Sequence, residues 1–533
     1  MTVKPDQTQE RELGRQNFQT VLGLTRRDFL ATAAAGVPAG AFYFGYNRIE
    51  GNPVRAGIIG CGDEGQVLLT ETNPDYLQVI AYSDLRPFNQ RRAMEGEKNN
   101  VRIGFVRKYG ADEAKKIAER SKDYHEDYHR LLEDPDIDMV IIALPLHLHA
   151  KVAIEAMKAG KHVLCEKLMA QSVGDCKEMI RASEETGKLL AVGHQRHYSV
   201  LYDNAVNVVK SGVLGDIRYI RALWHRNNAF PLLDKEGKPI LDENQRPMFI
   251  DGWRKLVPEV DQAIQYERHG YKSLEELVRW RLFDRTGGGL MAELGSHQLD
   301  ACSIFIARGL YGREEAVHPI AVSGVGVKSF YSDEREADDH VFTTFEFPGP
   351  DYGKSKDRED VVVVSYSSIN TNAIENYGET IYGSRGTLIV ELEKDVLLFK
   401  ERDPNAAGSK PPTATNVTVG QADKKPVLDS SPSPSGGSPQ AAMAVATGQI
   451  SRGYREEMEH FAYQVRRLQK NDADHATLTS ELRCNGKVAM GDAVIALVSN
   501  MAMAQNRRIE YREEWFDPKS PEAPEKSGQL AKS

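Results

Sequence analysis

Two groups of residues in this chain have the types and spacing of proton-transfer chemistry. Glu293 and His297 stand four apart at the start of a helical pattern, in the run Gly287-Gly288-Gly289-Leu290-Met291-Ala292-Glu293-Leu294-Gly295-Ser296-His297-Gln298-Leu299-Asp300. That spacing puts both on one helix face. Lys167 closes the run Ala159-Gly160-Lys161-His162-Val163-Leu164-Cys165-Glu166-Lys167, at the end of an apolar strand pattern. An imidazole titrates near neutrality and can take a hydroxyl proton, and an ammonium beside it stabilises the alkoxide that develops. Glu293 is expected to orient the imidazole of His297 and to favour its protonated form. Such a set suits removal of a proton from a secondary alcohol as hydride leaves its carbon. Asp300 lies one turn further on, but no further ligand cluster accompanies the three, so no metal site is expected. His147 and His149, after Pro145, read as a turn with a capping or packing histidine rather than a metal pair.

The hydride needs an acceptor, and the chain carries a fingerprint for one. Val54-Arg55-Ala56-Gly57-Ile58-Ile59 has the character of a buried parallel strand and runs into Gly60-Cys61-Gly62-Asp63-Glu64-Gly65, after which residues 66–72 read as a helix. Gly60 would permit the tight turn, Gly62 a close approach of backbone to a pyrophosphate, and Gly65 close packing of helix on strand. The phosphates would sit at the helix N-terminus. A second strand, 77–83, ends in Asp84, 19 residues beyond Gly65, the spacing expected of a carboxylate that holds the ribose hydroxyls. Asp84 favours NAD; Arg86, two residues on, could accommodate a 2′-phosphate and keeps NADP open.

Alternation continues through strands at 138–144, 162–165 and 189–192 and helices at 149–159 and 173–186. Repeated βα units predict a doubly wound parallel sheet over 52–195, with ligands beyond the carboxyl ends of its strands. Pro145, Glu166, Lys167 and His194 fall there, and the turn from Pro145 to His149 belongs to the same rim. Gln195 and Arg196 leave the last strand where two domains should meet and are expected to line the cleft. Trp280 and Arg281, just before the triple glycine, could offer a stacking surface and a charged donor to a polyol ring, with Trp253 and Arg254 an alternative pair.

From 196 to 402 strands dominate, at 217–224, 321–330, 341–347, 361–367 and 387–392, which predicts an α+β domain built on a large, mainly antiparallel open sheet. Residues 228–280 form a polar, aromatic-bearing insertion near the cleft. Residues 403–449 are rich in Pro, Ser, Gly and Ala and are expected to be a disordered linker or loop. Helical periodicity returns within 450–512, packing back on the body, and 513–533 is a tail. The 533 residues suit two domains with appendages. A net charge of −9 with scattered basic residues argues against nucleic acid. Five cysteines, Cys61, Cys165, Cys176, Cys302 and Cys484, show neither C-x-x-C nor a disulfide framework.

The fingerprint, the Pro145-to-His149 turn, the A-G-K-H-V-x-x-E-K and G-G-G-x-x-x-E-x-G-x-H-x-x-D runs, and Gly383-Ser384-Arg385-Gly386-Thr387 together resemble the Gfo/Idh/MocA oxidoreductase family over roughly 53–400 and the helices after 450. The resemblance implies a nicotinamide-dependent oxidoreductase of sugars, polyols or glycosides and a homo-oligomer. It implies that Lys167 and His297 are catalytic, with Glu293 as the accompanying acid. The family pattern usually has Asp where this chain has Glu293, and Pro where it has Leu168. Some family members use the same transient oxidation to cleave a glycosidic bond, and a non-catalytic dinucleotide-binding protein is a third reading.

The first 46 residues read as a leader: Thr25-Arg26-Arg27-Asp28-Phe29-Leu30 opens an apolar run to residue 46 that contains Ala39-Gly40-Ala41, a small-residue cleavage pattern. This predicts export of the folded chain by the twin-arginine machinery to a periplasmic or other extracytoplasmic space, with the leader either cleaved or kept as an anchor. An exported enzyme of this kind would carry its dinucleotide tightly bound.

Overall fold

A computed structural model describes residues 44–49, 51–242, 244–356, 359–401, 405, 414–422, 425–432 and 452–526. Runs of four to seven mostly apolar residues with no regular polar alternation are satisfied only with both faces covered. They pair here as a five-stranded sheet in the order β2-β1-β3-β4-β5: β1 (Val54–Ile59), β2 (Leu77–Ser83), β3 (Met139–Ile142), β4 (His162–Glu166) and β5 (Leu190–Gly193), all parallel. The crossover helices include α1 (Asp63–Glu71), α2 (Pro87–Glu95), α3 (His149–Lys158) and α4 (Val173–Thr186). Ser172 caps α4 by accepting from Asp175 N–H, which fixes its start at the residue read from the sequence.

A second sheet has ten strands in the order β14-β13-β12-β11-β10-β6-β9-β8-β7-β15. They are β6 (Ile217–His225), β7 (Ala321–Val327), β8 (His340–Pro348), β9 (Val361–Ile369), β10 (Tyr377–Gly383), β11 (Gly386–Glu391), β12 (Asp395–Lys400), β13 (Ala414–Ala422), β14 (Lys425–Pro432) and β15 (Ile509–Glu510). Every pairing is antiparallel except β6 with β9 at the centre. Period-two burial along β8 and β9 sends Val341, Phe345, Phe347, Val362 and Val364 to the core and Phe342 to the outer face.

The expected linker at 403–449 is corrected over two stretches: β13 and β14 form a hairpin on the sheet edge. Runs such as Asn416-Val417-Thr418-Val419 carry β-branched residues whose alternation the surrounding Pro, Ser and Gly obscure. The remaining positions to 451, apart from 405, lie outside the described residues.

Three later helices hold the two sheets. α5 (Ser296–Ile304) packs against the second sheet, α6 (Tyr454–Gln469) packs on the first, and α7 (Gly486–Ala504) lies between α4, α5 and β7. α7 is long and apolar enough to cross a membrane, yet most of it is buried inside the body, which accounts for a helix apolar all round.

Residues 1–43 of the expected leader lie outside the described residues. Its last residues belong to the body instead: Phe44 meets Tyr198 edge-on at 5.6 Å, and Tyr46 stacks on His460 at 5.5 Å and donates to Glu459 Oε2 at 2.7 Å. Two aromatic rings at the end of an apolar leader pattern are equally suited to packing, and here packing takes them.

Candidate active site

The carboxyl ends of β1 to β4, the start of α5 and the insertion enclose a cleft of about 1150 Å³. Its floor is the glycine turn. Gly60 has φ +94°, and a Cβ there would stand 2.3 Å from the Ala143 carbonyl oxygen. A Cβ on Gly65 would stand 2.1 Å from the Gly60 carbonyl oxygen, so helix and strand approach as they do only without side chains. Gly62, by contrast, faces open space, and as the N-cap of α1 it supplies no side chain to the first turn's N–H groups. Those donors and the helix dipole form an anion cradle.

Asp84 lies where β2 ends, 8% exposed. Its Oδ2 accepts from Cys61 N–H at 2.7 Å and its Oδ1 from Arg86 N–H at 2.8 Å, which holds the carboxylate toward the cleft with lone pairs to spare for a ribose diol. Cradle and carboxylate fit NAD. Arg86 does not take the part that kept NADP open: its Nε donates to the buried Asp261 Oδ2 at 2.8 Å.

Beyond the cradle stand the residues expected to do chemistry. Lys167 Nζ donates to the carbonyls of Glu293 at 2.9 Å and Ala292 at 3.3 Å, in a stretch, Met291–Gly295, wound as a π-helix ahead of α5. Two of its three N–H groups are thereby fixed and the third can address the cleft. The Lys167–Leu168 peptide is cis, and where the family pattern has a proline, His149 braces the turn from outside. Its Nδ1 is 2.8 Å from the Leu168 carbonyl and its Nε2 2.9 Å from that of Leu144. Pro145, His149 and Glu166 all line the cleft. Burial, with the Glu64 carboxylate close by, raises Glu166 to about 8.

His297 faces the cleft with its ring tilted against Trp224 at 5.5 Å. Burial, then the positive charges of Lys167 and Arg196, hold its pKa well below the ordinary histidine value. This corrects the role expected of Glu293. That carboxylate accepts from Arg281 Nε at 2.7 Å, and the charge-assisted bond to a fixed cation outcompetes one to a neutral ring. Burial opposes its ionisation, but Arg281 and Lys167 outweigh it and keep it below the usual carboxylate range. Glu293 therefore anchors Arg281, whose guanidinium lies 4.1 Å over Trp280, at the cleft wall.

Gln195 and Arg196 do not line the cleft; each is 1% exposed. Arg196 donates to Glu379 at 3.1 Å, Glu393 at 2.8 Å and the His297 carbonyl at 2.5 Å, tying the end of the first domain to the second sheet behind the histidine. An arginine at a domain junction can face ligand or partner acids, and only the fold shows that Glu379 and Glu393 arrive there. The buried Arg254 is likewise consumed in pairs with the buried Asp242 and the partly exposed Glu334, while Trp253 does reach the cleft. Trp224, Lys255 and Tyr271 are cleft residues that sequence reasoning missed. Trp224 could have been found, as the aromatic at the end of a predicted strand.

A parallel sheet ending in a glycine cradle with its acid, Lys167 at the end of β4, and His297 on α5 beneath the second sheet make a two-domain architecture around one dinucleotide-type cleft. Residues 54–194 match the family model described as oxidoreductase family, NAD-binding Rossmann fold. The chain is 40% identical to inositol 2-dehydrogenase of Salmonella typhimurium over 161 residues, 30% of this chain and 44% of that one. It is 31% identical to a glycosyl hydrolase family 109 protein of Stenotrophomonas maltophilia over 203 residues, 38% and 42% of the two chains. It thus spans less than half the length of these curated relatives. Among solved structures, an inositol dehydrogenase homolog from Azotobacter vinelandii complexed with NAD+ shares the fold with a TM-score of 0.57 at 16% identity, over 87% of this chain and 99% of that one. Levoglucosan dehydrogenase in complex with NADH does so at 0.54 and 15%, over 86% and 100%.

Proposed function

We propose that this protein is an NAD-dependent oxidoreductase acting on a hydroxyl-bearing carbon of a sugar, polyol or glycoside. The observation that carries the reading is the presence of Lys167 and His297 in the same cleft as the Gly60–Gly65 cradle and Asp84. His297, neutral in the free protein, takes the substrate hydroxyl proton, and the Lys167 ammonium stabilises the oxygen as negative charge grows on it. Bound nicotinamide supplies the hydride acceptor. Trp280, Trp253 and Arg281 offer a sugar ring stacking faces and a donor.

The reading sets a pH dependence. With the His297 pKa lowered, the base form persists to acid, so kcat/KM is expected to lose its acid limb only below pH ~6.5, the ordinary histidine value. H297N is expected to remove that limb. A wild-type limb centred above neutrality would contradict the neutral-base assignment.

The export reading of residues 1–46 makes a tightly held cofactor part of the proposal, since an enzyme outside the cytoplasm has little free dinucleotide to draw on. Purification without added nucleotide should therefore yield protein with a nicotinamide mass signal, and its absence would sink this part. The glycosyl hydrolase family 109 relative supports a second reading, bond cleavage by transient oxidation. A glycoside panel separates the two: a stable keto sugar marks oxidation, and a released aglycone without net reduced nicotinamide marks elimination. For the homo-oligomer we assign the outer face of the second sheet, where Val325 and Phe342 are about half exposed.

A further inference from the structure

We infer that Asp261, a residue of the insertion, sets the choice of NAD over NADP by placing its carboxylate where a 2′-phosphate would have to bind. The inference rests on the dinucleotide reading of the cleft.

A 2′-phosphate beside Asp84 would be met by donors just past β2. Two lie there: the Arg86 guanidinium and the N-terminus of α2. The N-cap of α2, Arg86, makes no side-chain cap, and Pro87 has no N–H, so Phe88 presents the helix's first amide donor. Guanidinium and helix N-terminus together make an anion site. Asp261 already fills it. It closes the short turn Glu259–Asp261, its side chain is fully buried, and its two oxygens divide the two donors: Oδ2 accepts from Arg86 Nε at 2.8 Å, and Oδ1 from Phe88 N–H at 2.9 Å.

Three neighbouring cations are already paired. Arg92 and Lys255 pair with Asp63, and Arg102 with Glu97. A 2′-phosphate would thus have to displace a buried carboxylate or approach it, and like charges at that range repel strongly. Asp84 is unaffected, because its partners are Cys61 N–H, Arg86 N–H and Asn89. The ribose hydroxyls keep their acceptor, while a 2′-phosphate would find the Arg86 Nε and the Phe88 N–H already taken by a carboxylate. Asp261 is a positioning residue that acts through Arg86 and Phe88, from 175 positions away in sequence from Arg86.

The test reads bound nucleotide rather than turnover. Purified wild type, D261N, R86A and R86A/D261N are exchanged against equal concentrations of NAD and NADP and desalted, and the bound nucleotides are extracted and quantified by mass spectrometry. Wild type is expected to hold NAD in large excess. D261N, which removes the carboxylate's negative charge and one of its two acceptor oxygens, should move the bound ratio toward NADP by roughly tenfold or more, the scale of one charge-assisted contact, and the double variant should lose that gain. R86A alone should leave the wild-type ratio unchanged to within about twofold. A wild-type ratio in folded D261N would overturn the inference. So would R86A alone cutting the NADP share about fivefold or more, since Arg86 would then already face the 2′-phosphate; that arm decides even if D261N fails to fold. Wild type that retains neither nucleotide would instead overturn the dinucleotide reading beneath it.

Discussion

Replacing Lys167 with methionine is expected to cut kcat by about 10²–10³-fold while the protein stays folded and keeps its nucleotide. Methionine preserves the length of the stem and removes the ammonium. In the native site two of that ammonium's donors are held by the Glu293 and Ala292 carbonyls, so the third is aimed before substrate arrives. Stabilisation of a growing negative charge is worth most when the donor pays no reorganisation at the moment of reaction. The loss should therefore appear in kcat more than in KM. Steady-state kinetics with far-ultraviolet circular dichroism and bound-nucleotide mass would check this. A K167M enzyme within about threefold of wild type would remove Lys167 from the chemistry.

The second large effect is on stability. R196M is expected to destabilise the fold by about 3–5 kcal/mol, because it strands the buried Glu379 without its cation and leaves the buried Glu393 with Arg452 alone. The loss should depend on pH. Burial raises Glu379 to about 7 even with Arg196 beside it, and Tyr202 O–H donates to it at 2.9 Å. A carboxyl raised above its unfolded value of 4.5 holds an extra proton in the fold, so stability falls as pH rises through that window. Without Arg196 the window extends further upward. Glu393, which Arg196 and Arg452 hold below the usual range against the pull of burial, loses stabilisation that was present at neutral pH. The deficit of R196M, read from urea midpoints, should thus be larger at pH ~8 than at pH ~5. A deficit below about 1 kcal/mol at both values would show that the acids find other partners. Because Arg196 also holds the His297 carbonyl, the variant should lose activity before it loses its fold.

What could be read from the sequence divides along physical lines. The five parallel strands were legible because strands buried on both faces must be continuously apolar, and the cradle because two of its glycines stand where no Cβ fits. Lys167 and His297 were legible because strand ends and a glycine-led helix start fix their places. The partners of the charged residues were not. Arg281 reaches back to Glu293, Arg196 reaches across 183 positions to Glu379, and Arg86 turns to Asp261. Ion pairs between distant segments leave no periodic trace, so the sequence points Arg196 toward ligand and Glu293 toward the His297 ring, whereas the fold pairs them with Glu379, Glu393 and Arg281. The β13–β14 hairpin was lost for a different reason: composition outweighed a short alternating signal.

The most direct measurement mixes the nucleotide-loaded protein with a panel of sugars, polyols and glycosides under single-turnover conditions and follows the near-ultraviolet absorbance of reduced nicotinamide, together with carbohydrate product by mass spectrometry. Wild type should oxidise at least one panel member at a hydroxyl-bearing carbon, and deuterium at that carbon should slow the step. K167M and H297N should bind the same nucleotide and fail. Reduction at wild-type rates in both variants, or none with any panel member in a protein that holds NAD, would contradict the assignment of this cleft to hydroxyl oxidation.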